Sequence, residues 1–234
     1  MTDVAREREA IVAAVDRIAD RLADEKAYLT ELDSAIGDAD HGTNVSRGFG
    51  AAREAVVEAD DASAEDLVKT VGMTLVSEVG GAAGPLYGGS FMHASGELEE
   101  GVTAASTVAF GEAFLEKVRD RGGAEVGAKT MVDAITPAVH TYKKSIEQDD
   151  LPPLAALAKA VDAAERGVDF TLPIRATKGR ASYLGWRSVG HQDPGATSTL
   201  FILEEIHATA EEYLNGEGER DASSPSTPDD GEGE

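Results

Sequence analysis

Apolar residues recur every three or four positions through most of the chain, a spacing that predicts amphipathic helices. The stripe from Ile11 to Leu22 is a clear example. Similar stripes predict helices over residues 3–24, from 26 into the segment that follows, 43–56, 63–75, 85–98, 103–119, 129–147, 153–164 and 200–214. No convincing alternating pattern of strand residues interrupts them. We therefore expect an all-α fold.

Several residues within and between these helices carry local information. The sequence from Ser63 to Asp66 resembles a capping box. Pro137 falls inside a predicted helix, which predicts a kink or a break there. Gly88 and Gly89 lower the helix propensity of their segment, so we expect close backbone packing or a bound ligand around them.

Two stretches lack helical periodicity. Residues 179–198 hold the single Trp and many polar and glycine residues, and polar loops of this kind often carry function. Residues 215–234 consist mainly of Gly, Ser, Pro and acidic residues, and we expect an acidic disordered tail there. Residues 1–214 are expected to form one helical domain.

The overall composition narrows the classes of function. Forty-four Asp and Glu residues against 21 Lys and Arg give a net charge of −23, which disfavours binding to nucleic acid or to anionic membranes. The acids are spread evenly, which favours a halophilic cytoplasm over an acidic surface for a basic partner. Cysteine is absent, and this excludes disulfides and thiolate chemistry. No apolar run approaches the roughly 18 residues of a transmembrane helix, so we expect a cytoplasmic protein.

The densest chemical signal is a group of three carboxylates in a glycine-bounded turn. Asp33 ends an apolar helical segment, and Asp38 and Asp40 follow it between Gly37 and Gly42. Carboxylates brought together repel one another unless a cation lies between them, and Mg²⁺ prefers oxygen ligands of this kind. An acidic turn on an acidic surface is the alternative at this point.

Other residues suggest a site for an anion. Thr43 and Asn44 suit a helix start, where free N–H groups attract phosphate, and His41 lies directly beside them. The basic residues concentrate in one place: Arg175, Lys178, Arg180 and Arg187. They indicate an anionic ligand or partner, or they balance local acids. The glycine-rich stretches 80–84 and 122–123 are weak signals, since glycines also end helices.

Several familiar catalytic patterns are missing. The sequence contains no P-loop motif, no HExxH and no signature of a Ser/His/Asp triad. This leaves phosphate handling through a metal ion and backbone N–H groups, where positioning and charge neutralisation supply most of the catalysis.

A set of motifs resembles the ADP-binding L subunit of dihydroxyacetone kinases. The motifs are residues 33–44 (DSAIGDADHGTN), 72–75 (GMTL), 79–88 (VGGAAGPLYG), and 178–185 (KGRASYLG) followed by 187–198 (RSVGHQDPGATS). The resemblance runs in the same order over residues 5–214. It implies a closed barrel of about eight antiparallel amphipathic helices with a nucleotide at one end.

The resemblance also implies site residues. Asp33, Asp38 and Asp40 would hold two Mg²⁺ ions that bridge to the phosphates of ADP. The residues that would contact the nucleotide are His41, Gly42, Thr43, Asn44, Ala82, Ala83, Leu86, Gly122, Met131, Arg187, Asp193, Pro194 and Gly195. Ala83 stands where many relatives carry serine, which removes a hydroxyl contact, and Trp186 replaces a common acidic residue. No catalytic side chain is expected beyond this metal and nucleotide site.

Partners follow from the same resemblance. In one branch of the family this domain is fused to a dihydroxyacetone-binding domain and uses ATP directly. In the other it is a free subunit with resident ADP or ATP. There, the phosphocarrier M subunit of the phosphoenolpyruvate phosphotransferase system rephosphorylates the nucleotide, and dihydroxyacetone on the K subunit receives the phosphoryl group.

We expect the free subunit, because the chain starts shortly before the first predicted helix and ends soon after the last. One alternative is an ATP-exchanging kinase subunit for dihydroxyacetone or another acceptor, such as a fatty acid. The other is a non-catalytic regulator that docks on a transcription factor. The three carboxylates argue against the regulator.

Overall fold

The structure, a computed structural model, describes residues 4–214, and no strand occurs among them. Its α-helices are α1 (Val4–Asp24), α2 (Lys26–Ile36), α3 (His41–Glu58), α4 (Ala64–Glu78), α5 (Gly89–Ala94), α6 (Ala104–Gly122), α7 (Val132–Glu147), α8 (Pro153–Phe170) and α9 (Pro194–Leu214). A π-helical turn at Gly84–Gly88 and 3₁₀ segments at Ser95–Leu98 and Arg180–Ser188 complete the described helical structure. The all-α prediction is confirmed.

Two further expectations concern the acidic tail and the absence of a membrane-spanning helix. Residues 215–234, expected to be an acidic tail, lie outside the described residues. Among residues 4–214, no helix combines the length and the apolar composition that crossing a membrane requires.

Eight of the described α-helices pack side by side in a closed circuit. The contacts run from α1 to α3 and then through α4, α5, α6, α7 and α8 to α9, which packs back on α1. The short α2 packs against α3 and α9. This circuit agrees with the barrel that the resemblance implied.

The apolar stripes of the helices supply the core. The main cluster contains Leu22 from α1, Phe49 from α3, Leu67 and Leu75 from α4 and Val118 from α6, all fully buried. All five belong to the stripes seen in the sequence. The closed circuit gives each of its helices a neighbour on both sides, against which its apolar residues are buried. In α8 the burial extends beyond one stripe and includes every residue from Ala160 to Ala164.

The first and last helices also meet near the ends of the described chain. The Arg6 guanidinium donates to the carbonyl oxygen of Tyr213. Arg17, farther along α1, forms an ion pair with Glu212 at 2.7 Å. These contacts place the start of α1 beside the end of α9.

Two helices begin earlier than predicted, and each has a carboxylate that explains its start. The Asp33 side chain accepts the N–H of His41, the first residue of α3, at 3.0 Å. The Asp193 side chain accepts the N–H of Ala196 at 2.8 Å, and Pro194 suits the first helical position. The end of the stretch 179–198, which lacks helical periodicity, therefore already belongs to α9.

The predicted helix over residues 85–98 is three short segments with different winding, from the π-helical turn to α5 and then a 3₁₀ turn. Its glycines pack closely, as expected. A Cβ atom added to Gly88 would lie 2.5 Å from the carbonyl oxygen of Gly72 in α4. In α7 the helix continues through Pro137, so no break occurs there.

Candidate functional site

The three aspartates come together at the junction of α2 and α3. Asp33 is buried in the last turns of α2, Asp38 lies in the loop, and Asp40 directly precedes α3. Their carboxylate oxygens lie within 4.8 Å of one another. Ala39 between them has a φ of 61°, a left-handed conformation that costs an alanine about 1–2 kcal/mol.

Asp33 also organises the loop itself. Its Oδ2 atom accepts the backbone N–H groups of Asp40 at 2.8 Å and of His41 at 3.0 Å. No side chain fits at Gly37, where an added Cβ would lie 2.0 Å from Oδ1 of Asp33. One oxygen of Asp33 therefore holds the loop, and its carboxylate still faces the other two aspartates.

This donor set fits a hard divalent cation. Three carboxylates at this separation repel one another, and oxygen ligands are those that Mg²⁺ prefers. An Arg180 guanidinium lies 2.9 Å from the Asp38 carboxylate, which joins the loop to the 3₁₀ segment Arg180–Ser188. A cation and Arg180 therefore both have access to Asp38.

The aspartates border an open cavity of about 190 Å³. The predicted site residues that line it are Asp33, Asp38, Asp40, His41, Asn44, Ala82, Ala83, Leu86, Met131, Asp193, Pro194 and Gly195. They come from the end of α2, the α2–α3 loop, the starts of α3 and α9, the 80–86 segment and the loop before α7. The structure thus brings together residues that are spread over most of the chain.

Four of the predicted nucleotide contacts do not line this cavity: Gly42, Thr43, Gly122 and Arg187. Gly42 packs α3 on α2, since a Cβ there would lie 2.3 Å from the carbonyl oxygen of Lys26. Thr43 and Arg187 are exposed. Gly122 lies behind Leu86, whose Cδ2 atom would be 3.4 Å from an added Cβ.

The structure also adds cavity residues that sequence reasoning did not assign to the site: Ile36, Gly37, Gly80, Gly81, Tyr87, Lys129, Thr130, Lys178, Gly179, Arg180 and Ala181. Of these, Lys178 and Arg180 belong to the basic group that had indicated an anionic ligand. Gly80 and Gly81 belong to a glycine stretch that had seemed a weak signal. Tyr87 lies in the 79–88 motif without an assigned role, and Lys129 carried no signal, because the partners of both lie far away in the sequence.

Tyr87 links the starts of α3 and α9. Its hydroxyl lies 3.0 Å from Ser198 Oγ and 2.8 Å from Thr199 Oγ1, and His41 Nε2 lies 2.9 Å from the same Ser198 oxygen. Burial raises the pKa of Tyr87 to about 12, although both hydroxyl contacts lower it. Burial lowers the pKa of His41, against the opposing effect of nearby Asp33 and Asp40.

Asp193 is a buried carboxyl at the start of α9. Burial raises its pKa to about 7, the N–H of Ala196 opposes this shift, Asp133 adds to it, and Lys129 opposes it again. The backbone N–H of Asp193 donates to Thr171 Oγ1 at 3.0 Å. Asp193 thus fixes the start of a helix that borders the cavity, and near neutral pH it can change protonation state.

Comparisons with known proteins point to one family. The model of the DAK2 domain matches residues 35–208. The ADP-binding subunit DhaL of the PEP-dependent dihydroxyacetone kinase of Escherichia coli K12 is 42% identical over 207 residues, which is 88% of this chain and 98% of that protein. The ADP-binding subunit DhaL of PEP-dependent dihydroxyacetone kinase 1 of Listeria innocua is 41% identical, over 81% of this chain and 90% of that protein.

A solved structure shows the same fold. The dihydroxyacetone kinase from C. freundii, in complex with AMP-PNP and Mg²⁺, superposes with a TM-score of 0.66 at 23% sequence identity. The match covers 85% of this chain and 33% of that one, so this chain spans about a third of the solved kinase. By the extent of the domain match and of the identity, the chain belongs to the DAK2 domain family.

Proposed function

We propose that this chain is the ADP-binding subunit of a phosphoenolpyruvate-dependent dihydroxyacetone kinase. ADP is its resident cofactor and accepts a phosphoryl group from the phosphocarrier M subunit of the phosphotransferase system. The phosphoryl group then passes to dihydroxyacetone on the K subunit, which gives dihydroxyacetone phosphate. A cytoplasmic location is part of this proposal. The observation that carries it is the carboxylate cluster of Asp33, Asp38 and Asp40 on the cavity.

The three aspartates would hold two Mg²⁺ ions. Bound Mg²⁺ neutralises phosphate charge and orients the phosphoryl group for transfer. Asp33 has one oxygen committed to the N–H groups that open α3, so it also keeps that helix start in place. The helix start itself offers free N–H groups to an anion.

The remaining cavity residues suit a nucleoside diphosphate. The phosphates are proposed to contact Asn44 and His41 at the start of α3, together with Lys178 and Arg180. Backbone N–H groups at Ala82 and Ala83 are proposed to add contacts there. Leu86, Met131 and the first turn of α9 supply apolar and backbone surface for the nucleoside. Gly42, Thr43, Gly122 and Arg187 stay predicted contacts.

The proposed function is tested by identifying the nucleotide bound to the chain and by measuring its labelling from phosphoenolpyruvate. The purified chain is denatured and the released nucleotide is identified, and the native chain is then supplied with labelled phosphoenolpyruvate, the carrier proteins and the M subunit. We expect near-stoichiometric ADP that becomes labelled, and labelled dihydroxyacetone phosphate once the K subunit and dihydroxyacetone are present. No bound nucleotide, or no label on it, would contradict the proposal.

Asp38→Asn tests the metal assignment in the same assay. Removing one carboxylate from the cluster should lower Mg²⁺ and ADP content by about tenfold or more, because a metal site that loses a charged ligand binds far more weakly. Asp149→Asn is the matched control, since Asp149 is exposed in the connection between α7 and α8. Full ADP and metal content in Asp38→Asn would show that the ligands are misassigned.

A second candidate is a kinase subunit that exchanges free ATP, for dihydroxyacetone or another acceptor. The observation that favours it is the solved kinase of similar fold in complex with AMP-PNP, an ATP analogue. Rapid replacement of the bound nucleotide by labelled free ATP, followed by transfer without phosphoenolpyruvate, would support this candidate. A third possibility, a regulator that docks on a transcription factor, predicts no transfer at all.

A further inference from the structure

Lys129 is a buried lysine beneath the irregular segment that follows α8. Its side chain is 1% exposed. Its Nζ atom donates to the carbonyl oxygens of Thr171 and Ser188 at 2.7 Å each, of Ile174 at 3.3 Å, and of His191. One ammonium group therefore gathers four backbone carbonyls from a single stretch of chain.

These contacts use all the donors of the ammonium group. A lysine has three N–H donors and no acceptor, and here they are shared among four carbonyl oxygens. Although Lys129 borders the cavity, no donor is left for a phosphate oxygen. Burial lowers the pKa of Lys129, and the nearby Asp193 and Asp133 oppose this shift.

The segment whose carbonyls Lys129 contacts contains the cluster of basic residues found in the sequence. Residues 171–192 contain Arg175, Lys178, Arg180 and Arg187 and no acidic residue, in a chain with a net charge of −23. The four carbonyls lie near the two ends of this segment, and its middle reaches the cavity through Lys178 and Arg180. By holding both ends of this segment, Lys129 therefore fixes the positions of Lys178 and Arg180 at the cavity.

The backbone conformation at Lys129 indicates that the lysine side chain itself is needed at this position. Its φ is 62°, a left-handed conformation that costs a non-glycine residue about 1–2 kcal/mol. Glycine would adopt it without that cost. The adjoining backbone is also tied to the segment, since Thr177 N–H donates to the Ala128 carbonyl at 3.1 Å. The Asp133 carboxylate accepts the N–H of Thr130 at 2.8 Å and that of Gly127, which holds the loop around Lys129.

We infer that Lys129 is a positioning residue: it holds residues 171–191 so that Lys178 and Arg180 face the cavity, and it does not bind phosphate. The consequence for nucleotide affinity rests on the proposed function. The consequence for the segment does not, because it follows from the four carbonyl contacts alone. Two independent measurements can therefore separate the positioning role from the identity of the ligand.

The first measurement is limited trypsin digestion of the full chain. Lys129→Met keeps most of the side-chain length and removes the ammonium group, and Lys159→Met, at an exposed position on α8, is the matched control. The segment offers trypsin four sites at its basic residues. The four basic side chains are already exposed, but their backbone is held in place. We expect Lys129→Met to be cleaved within residues 175–187 about tenfold faster than wild type or more, because local opening frees this backbone to enter the protease active site. Cleavage elsewhere in the folded chain should keep its wild-type rate.

The second measurement is ADP affinity with Mg²⁺, well below the unfolding temperature. Lys129→Met should bind ADP about tenfold more weakly or worse, because misplaced cations lose their contacts with the phosphates. Weaker binding with wild-type cleavage of the segment would overturn the inference, because it would indicate direct phosphate contact by Lys129. Faster cleavage with unchanged ADP affinity would also overturn it, since the segment would then be held for stability alone.

A second variant covers the case in which Lys129→Met fails to fold. Lys129→Arg keeps the charge but replaces a compact ammonium with a planar guanidinium, which cannot direct donors to the same four carbonyls. The segment should again be cleaved faster than in wild type, and a wild-type pattern would refute the positioning role. Should wild type bind no ADP, the proposed function fails, while the digestion result still shows whether Lys129 holds the segment in place.

Discussion

Among single residues, Asp193 has the clearest pH signature. Burial raises its pKa to about 7 from an ordinary value of 3.8. The folded state therefore holds this proton more tightly than the unfolded state does. By linkage, the stability from the protonated carboxyl is fully present below the unfolded pKa and is lost as the pH rises through about 7.

Relative to Asp193→Asn, the metal-free chain should accordingly lose on the order of 2 kcal/mol of unfolding free energy between pH values of about 5.5 and 8. Asp193→Asn keeps an acceptor for the Ala196 N–H and cannot ionise, so its stability should change much less over the same range. Urea denaturation at several pH values measures both. Parallel pH profiles of the two proteins would show that Asp193 does not carry this dependence.

Some residues of the candidate site could be predicted from the sequence and others could not, and the difference has a physical reason. Asp33, Asp38 and Asp40 are close in sequence, so a local turn suffices to bring them together. Lys129 meets carbonyls more than 40 residues away, and Tyr87 meets Ser198 at a separation of 111 residues. Such contacts depend on how helices pack, and no local pattern records them.

At the scale of helices, local chemistry predicted several boundaries well. Ser63 caps α4 by accepting the N–H of Asp66 at 3.1 Å. Thr103 and Ser106 form a capping box at the start of α6. The starts of α3 and α9 were placed too late, because α3 owes its start to Asp33 in another helix and α9 begins inside a stretch that reads as irregular. The cap of α3 by a residue of α2 requires the fold. The cap of α9 by Asp193 is local, but helical periodicity in the sequence begins only after it.

The contact between α4 and the π-helical turn gives a prediction for this scale. Gly88→Ala would place a Cβ 2.5 Å from the Gly72 carbonyl oxygen and 2.8 Å from Val76. The backbones must move apart, which should destabilise the chain by about 1–3 kcal/mol. Gly50→Ala in α3 is the control, since nothing lies within 4 Å of its added Cβ, and it should stabilise by about 0.5–1 kcal/mol. Thermal unfolding measures the stability of both variants. Equal effects would show that the close approach of Gly88 to α4 does not limit the side chain at this position.

For the molecule as a whole, charge is the dominant property. Several ion pairs between described residues link neighbouring helices on the surface, such as Arg53 with Asp20 at 2.7 Å and Lys143 with Glu112 at 2.7 Å. Exposed pairs of this kind contribute little. With a net charge of −23, repulsion among the unpaired carboxylates opposes the folded state.

Added salt should therefore raise the unfolding temperature. Raising the chloride salt from about 0.1 M to about 1 M shortens the Debye length from about 10 Å to about 3 Å, which screens this repulsion. We expect a rise of several degrees that is similar for NaCl and KCl and that levels off at high salt. A falling unfolding temperature would contradict this account and the interpretation of the acidic composition as a halophilic adaptation.

The meeting of α1 and α9 has a consequence for how this fold can be joined to other polypeptides. The first turn of α9 borders the cavity, whereas its last turn lies about 31 Å away, at 1.5 Å for each of its 21 residues, beside the start of α1. A polypeptide joined before Val4 or after Leu214 would therefore begin at the end of the described fold that lies opposite the cavity.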